Sequence, residues 1–387
     1  MKSTPEHAAI GLRADQIDTP AAVIDLDAME RNIQRMAAFA RQHRVRWRPH
    51  AKMHKSAAIA LLLEQAGACG HCVQKTSEAE ALAAGGVRDL FISNEVIAPA
   101  KLLRVARLAA RLAADGGRLA IAVDSPEGIA RLAGAMDAAG SGAGIDVFVE
   151  IDVGQGRCGV PPGPEAAALA RAVAARPRLR FAGLHAYQGG AQHLRAAAER
   201  RAAIAHAVHA AAGTRALIGA AGLPVPLVTG AGTGTLVHEA TSGVYGELQA
   251  GSFLFMDADY AANEPDAAQP AFEHALFIKT QVISTHPTHA VCDAGHKSHA
   301  IDSGLPLVHG LAPAHALRYA NGGDEHGILH AAGPQARLPA LGQALWLVPG
   351  HCDPTVNLHD RLLGVRGGLE HGVVERVIEV DARGALT

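Results

Sequence analysis

The sequence predicts an α/β fold: a (β/α)8 barrel over residues 18–257, followed by a mostly antiparallel β domain over residues 258–387 onto which residues 1–17 would pack. Three observations lead there. Short apolar runs alternate with helical patterns eight times before Asp257. The polar residues of chemical interest stand just past the C-terminal ends of those runs, where such barrels keep their sites. Beyond Asp257 the chain breaks into short runs separated by Gly, Pro, Asn and Asp.

Ala21 to Leu26 opens the barrel as its first strand, and Asp27 caps the helical pattern of Met29, Ile33, Met36 and Phe39. Val45 to Pro49 is the second strand, with a helix over Ala57 to Gln65. The third strand ends at Gln74, and Ser77 with Glu80 has the spacing of a capping box. Leu90 to Ser93 and Leu119 to Asp124 are the fourth and fifth, followed by helices that start at Pro99 and at Ser125-Pro126-Glu127. Ile145 to Asp152, apolar enough for burial on both faces, is the sixth, and Phe181 to Tyr187 the seventh. An Ala-rich helix from His193 to Ala212 leads to the eighth, Val225 to Thr229, which breaks into Gly230-Ala231-Gly232-Thr233-Gly234-Thr235. In the second domain Leu276 to Ile283, Ala290 to Cys292, Leu345 to Val348, Leu362 to Val365 and Val373 to Val380 read as strands.

A length of 387 residues suits a barrel plus a second domain, and a net charge of -2 leaves no basic field for nucleic acid or an anionic membrane. The longest uncharged stretch, Ala216 to Val237, is broken by Pro224, Pro226 and several glycines, so it reads as strand and loop rather than a membrane helix. Met1 to Gln16 lacks the apolar core of a secretory signal, and a cytoplasmic location is expected. Cys69 and Cys72 have the spacing of a thiol-disulfide motif. Their segment reads as strand, however, without the helix N-terminus that lowers a thiol pKa, which argues against redox catalysis.

The segment Arg48-Pro49-His50-Ala51-Lys52-Met53-His54-Lys55 sets two lysines beside imidazoles where the second strand ends. A neutral lysine amine condenses with an aldehyde to a Schiff base, and burial or a neighbouring cation frees the amine by lowering its pKa. A basic turn on a solvated surface is the alternative. The glycine loop after the eighth strand lies where barrel enzymes often bind phosphate on backbone N–H groups, with a plain tight turn as the alternative. No acidic residue follows it at the spacing of a dinucleotide-binding fold. His351 and Asp353, two residues apart, would project to one side of an extended chain and suit a divalent cation, although two ligands are few and a surface loop is the alternative. His238-Glu239 lacks the second histidine of a metalloprotease helix, and Asp324-Glu325-His326 is either a polar cluster near the site or a surface turn.

With these segments in view, the chain resembles the D-threonine aldolase group of fold-type III pyridoxal-phosphate enzymes, which includes D-3-hydroxyaspartate aldolase and is related to D-serine dehydratase. The likeness runs over nearly the whole chain: RPHAKMHK from Arg48, QKTSEAE from Gln74, DVGQGRCGV from Asp152, AYQGGAQH from Ala186, TGAGTGT from Thr229, ELQAGS from Glu247, DEHG from Asp324 and GHCDPT from Gly350. The resemblance implies an alanine-racemase-like barrel with a β domain in a homodimer, pyridoxal 5'-phosphate and a divalent metal as cofactors, and a small D-amino acid as substrate. By it, Lys52 rather than Lys55 bonds the cofactor. Gly232, Thr233, Gly234, Gly251 and Ser252 hold it at the phosphate side, and Gln74, Arg157 and Tyr187 surround its ring. His351 and Asp353 carry the metal; their nitrogen and oxygen donors favour Mn or Mg, with Cys352 turned away. Two residues depart from the group: Ala231 stands where glycine is frequent, and His296 where an apolar residue is usual, a change that would bear on substrate choice if His296 is near the site.

The implied reaction cleaves the Cα–Cβ bond of a D-β-hydroxy-α-amino acid, D-threonine or D-3-hydroxyaspartate, to glycine and an aldehyde. A bound metal lowers the β-hydroxyl pKa, and His193 serves as general base, an imidazole titrating ordinarily at about 6.5. Dehydration to a keto acid and ammonia, racemisation at Cα, and a barrel that only carries the cofactor are the alternatives. A whole second domain bearing GHCDPT argues for chemistry.

Overall fold

In the computed structural model, which describes residues 9–387, the first strand, β1 (Ala21–Asp25), is not part of the barrel. The barrel consists of β2 (Arg46–Trp47), β3 (His71–Val73), β4 (Asp89–Ile92), β5 (Arg118–Val123), β6 (Ile145–Glu150), β7 (Leu179–His185), β8 (Val228–Gly230) and β9 (Glu247–Leu248). These strands are parallel, in the order β2-β9-β8-β7-β6-β5-β4-β3. His50 bridges Cys72, and the Cys72 N–H donates to Pro49 O at 3.0 Å, which brings the two ends of the sheet together. Expectations for residues 1–8, including the first half of the segment examined for a secretory core, lie outside the described residues.

The eightfold count therefore survives with one exchange of members. β1 is buried along its centre and followed by a helix, as a barrel strand would be, but it pairs antiparallel with β10 (Leu276–Thr285) and parallel with β16 (Arg361–Arg366). Burial pattern alone does not say which sheet receives a strand. β9 is too short and polar to announce itself. Its Glu247 carboxylate is buried, accepting from Arg48 Nε at 3.1 Å and Thr229 Oγ1 at 3.0 Å, while Arg48 Nη1 donates to Asp89 at 2.6 Å. Arg48 thus ties β2, β4 and β9 together inside the barrel, and this residue of the first motif serves the fold.

Two helix starts differ from expectation. Asp25, not Asp27, caps the helix Leu26–His43 by accepting from Ala28 N at 3.0 Å. Asp27 instead accepts from Arg366 and from Gly367 N. The helix Thr76–Ala84 is capped by Glu78, which accepts from Gln74 N and Lys75 N, whereas Glu80 pairs with Arg104. Proline at the first turn does open helices at Pro99 and Pro126.

The second sheet also contains β11 (Ala290–Cys292), β12 (Leu307–Val308), β13 (Leu317–Asn321), β14 (Gly327–Ala331), β15 (Ala344–Val348) and β17 (Val373–Glu379). Its main path runs β13-β14-β11-β10-β1-β16-β17, with β15 pairing β10 and β12; apart from the β1 and β16 pair it is antiparallel. Ala14 and Ile17 pack here against Val23, Val365 and Val374. The main barrel core lies between strands and outer helices, while Cys72, Phe91, Ala120, Ala122 and Phe148 form a separate inner cluster. Among the described residues no helix is long and apolar enough to cross a membrane.

Candidate active site

A cavity of about 300 Å³ opens at the C-terminal ends of the barrel strands and is flanked by the turn after β15. Lys52 reaches it from the 3-10 turn Ala51–Met53 that follows β2. Its ammonium is paired with the Asp353 carboxylate. Burial opposes the charged amine, but Asp353 outweighs it and raises the lysine pKa, a correction to the expectation that the surroundings would lower it. Lys55 has its Nζ 2.5 Å from Glu78 Oε1 and is buried, outside the cavity lining. Three residues apart, the two lysines are thus separated into one that faces the cavity and one that braces the helix at Thr76.

His351 and Asp353 meet, but not by the alternation of an extended chain. His351 is extended and immediately precedes the short helix Cys352–Val356, whose second residue is Asp353. The His351 Nε2 stands 3.8 Å from Asp353 Oδ1, and that oxygen is buried with no hydrogen-bond partner. Cys352 is fully buried, with its Sγ donating to Met256 O at 3.1 Å. Asp257 fixes this turn: its Oδ2 lies 2.7 Å from His351 Nδ1 and accepts from Cys352 N at 3.0 Å, while its Oδ1 caps Tyr260 N. Burial raises the Asp353 pKa less than the Lys52 and His351 charges lower it, to about 2.

Gln74, Arg157, Tyr187, His193, Gly232, Thr233, Gly251 and Ser252 all line the same cavity. The Arg157 guanidinium carbon stands 5.6 Å from the centre of the Tyr187 ring, and Gln74 Nε2 is 2.9 Å from His50 Nε2. His193 sits at the end of the 3-10 turn Gly190–His193, before rather than within the helix Ala197–Ala220. Gly234 is the exception among the expected residues: it does not line the cavity, and its N–H donates to Gln192 Oε1 at 2.9 Å. His296 is likewise elsewhere, 2.8 Å from Asp324, which also pairs with Lys297.

The sequence pattern of the alanine racemase N-terminal domain matches residues 24–259, and that of a serine dehydratase domain matches residues 275–365. D-threonine aldolase of Arthrobacter sp is 44% identical over 381 residues, covering 98% of this chain and 96% of that protein. 3-Hydroxy-D-aspartate aldolase of Paracoccus denitrificans (strain Pd 1222) is 43% identical over 380 residues, covering 97% and 94%. The crystal structure of D-threonine aldolase from Filomicrobium marinum superposes with a TM-score of 0.92 at 46% identity, over 98% of this chain and 100% of that one. The chain belongs to the D-threonine aldolase family. It is a carbon–carbon lyase with the alanine-racemase-like fold, which implies pyridoxal phosphate.

The cavity fits both groups expected of a D-threonine aldolase family member. Gly232 and Gly251 line the cavity where no side chain fits: a Cβ on Gly232 would stand 2.4 Å from Gln192 Oε1, and one on Gly251 2.8 Å from His50 O. The unpartnered Asp353 oxygen beside an imidazole whose other nitrogen is held by Asp257 has the character of a cation site with an orienting carboxylate. Glu95, Glu150 and Cys158 form a separate group of donor atoms within 4.8 Å of one another. There burial and the neighbouring Glu150 push the Glu95 carboxyl up to about 7.

Sequence reasoning missed several residues at this aldolase-family site. His185 lies at the end of β7, with Nδ1 2.7 Å from Glu150 Oε2 and Nε2 3.2 Å from Gln249 Oε1; burial disfavours its charge, yet Glu150 raises its pKa. His185 and Tyr187 are two apart at a strand end, a signal comparable to the one used for His351 and Asp353. Tyr260, also in the cavity, and Asp257 and Asp259, which hold His351 and His193, come from the joint between the domains. No apolar periodicity marks that joint.

Proposed function

We propose that the protein is a pyridoxal 5'-phosphate- and divalent-metal-dependent aldolase that cleaves D-β-hydroxy-α-amino acids, of the D-threonine or D-3-hydroxyaspartate type, to glycine and an aldehyde. One observation carries the reading: a lysine, an imidazole–carboxylate pair with a bare oxygen, and a second histidine share one cavity. Lys52 would hold the cofactor covalently, with Thr233, Gly251 and Ser252 at its phosphate and Gln74, Arg157 and Tyr187 around its ring. His351 and Asp353 would hold the cation, and their nitrogen and oxygen donors favour Mn or Mg. When bound, the cofactor supplies a sink for the electrons released as the Cα–Cβ bond breaks. The cation supplies Lewis acidity that lowers the pKa of the substrate hydroxyl.

The chain's own contribution is placement and proton transfer. His193 takes the β-hydroxyl proton at Nε2, the nitrogen left over once Nδ1 faces Asp259. Arg157, over the Tyr187 ring, stiffens one side of the cavity. We further infer a cytoplasmic homodimer that takes a small D-amino acid and no nucleic acid or membrane; the net charge of -2 supports only the last two exclusions.

Incubation with D-threonine and with D-3-hydroxyaspartate, each with and without Mn, tests the reading. Glycine and acetaldehyde are expected from D-threonine, with activity lost on chelation and restored by Mn. Formation of 2-oxobutyrate and ammonia as main products would make the protein a dehydratase instead, and full activity after exhaustive chelation would remove the metal from the mechanism.

A further inference from the structure

Asp259 lies in the short helix Ala258–Ala261 and is 8% exposed. Its Oδ2 stands 2.7 Å from His193 Nδ1. Its Oδ1 accepts from Arg195, whose Nη1 also donates to the Asp259 backbone oxygen at 2.6 Å and to Asn263 Oδ1 at 2.7 Å. The Asp259 N–H donates to Gly350 O at 3.1 Å, and the neighbouring Ala258 N–H to Pro349 O at 3.0 Å. The carboxylate is therefore held by an arginine of the barrel, and the backbone that carries it is held by the turn that carries His351. A carboxylate only accepts, so a neutral His193 ring bonded to it must carry its proton on Nδ1, which leaves the Nε2 lone pair free.

We propose that Asp259 is a positioning residue that fixes the tautomer and aim of His193, and that its bond to Gly350 sets that aim relative to His351. The proposal rests on the reading of His193 as the base. Asp259→Asn preserves shape but changes which atom is presented. The amide oxygen stays with Arg195, so the amide NH2 faces His193 Nδ1, and that nitrogen must then accept. The ring proton moves to Nε2, where no lone pair is left to take the substrate proton.

The experiment compares wild type, Asp259→Asn, Asp259→Glu, His193→Asn and the double variant Asp259→Asn/His193→Asn as Mn-loaded holoenzymes. Asp259→Asn is expected to lower kcat by about 10²-fold or more while KM and the visible absorbance of the bound cofactor hold. Asp259→Glu, which restores an acceptor, recovers part of that loss, and the double variant is no slower than His193→Asn alone. In 15N-histidine spectra of the same proteins loaded with diamagnetic Mg instead of Mn, the resonances that vanish in His193→Asn should report a proton on Nδ1 in wild type and on Nε2 in Asp259→Asn. Loss of turnover in His193→Asn without loss in Asp259→Asn, or equal rates in Asp259→Asn and Asp259→Glu, would overturn the proposal. If His193→Asn keeps turnover, the base assignment falls, and the 15N spectra alone decide whether Asp259 sets the ring; an unchanged tautomer in Asp259→Asn refutes it.

Discussion

Around the cavity, the barrel spreads its contributions over the ends of separate strands: Lys52 after β2, Gln74 after β3, Arg157 after β6, Tyr187 and His193 after β7, Thr233 after β8 and Ser252 after β9. The second domain delivers His351 and Asp353 from a single turn. Each barrel residue is located by a ladder that neighbouring strands share, so its place is insured by the whole sheet. The turn also follows a laddered strand, β15, but the aim of its His351 side chain depends on one buried carboxylate, Asp257, with hydrogen bonds to His351, Cys352 and Tyr260. The barrel side should therefore tolerate loss of a neighbour better than the turn does.

The largest expected contrast lies within the barrel, between its two lysines. Lys52→Ala should abolish borohydride fixation of the cofactor to the protein while leaving the fold intact, since the Lys52 side chain is 41% exposed. Lys55→Ala should keep fixation but strip the buried Glu78 carboxylate of its cation, a loss of about 3–5 kcal/mol that denaturant unfolding would measure. Fixation that survives in Lys52→Ala and disappears in Lys55→Ala would reverse the assignment.

The turn gives the next contrast, read by Mn titration calorimetry without turnover. Asp353→Ala should remove measurable Mn binding. Asp257→Asn should weaken it by about 10- to 100-fold, because the ring of His351 loses the acceptor that aims it. Cys352→Ala should leave Mn affinity unchanged and cost about 1 kcal/mol of stability through the lost bond to Met256 O. Equal Mn affinity in Asp257→Asn and wild type would mean that the turn is as well insured as the barrel.

The same difference governs what the sequence disclosed. Barrel residues stood next to apolar runs, and burial of strands on both faces makes such runs conspicuous, so Lys52, Gln74, Arg157, Tyr187 and His193 could be read from position. The exchange of β1 for β9 passed unnoticed because it shifts no site residue: Lys52 follows β2 whichever strand is counted first. β9 hid because Glu247 is turned into a polar network, and polar residues on a buried strand break the expected pattern. The pairing of His351 with Asp353 was expected from an extended geometry that a helix start replaces. Pro354, third in the short helix, is compatible with a first turn and could have suggested it. Asp257 and Asp259 act through long-range hydrogen bonds between segments 66 and 94 residues apart, which local pattern does not encode.

The smallest expected effect tests how much strain the barrel rim carries. Ala231 lines the cavity at φ +73°, in the left-handed region that a Cβ disfavours by about 1–2 kcal/mol. Glycine would relieve that strain but lose more conformational freedom on folding, at a cost of about 0.5–1 kcal/mol. The balance favours Ala231→Gly by about 0–1.5 kcal/mol, with a mid-range rise in stability of about 0.75 kcal/mol that a denaturant titration resolves. Ala231 is 1% exposed and its neighbours Gly230 and Gly232 are closely packed, so the surrounding backbone has little room to shift. Unchanged or lower stability in Ala231→Gly would mean that the methyl group's packing against its buried apolar neighbours outweighs the strain. The rim would then be held by side-chain contacts as well as by its strand ladder.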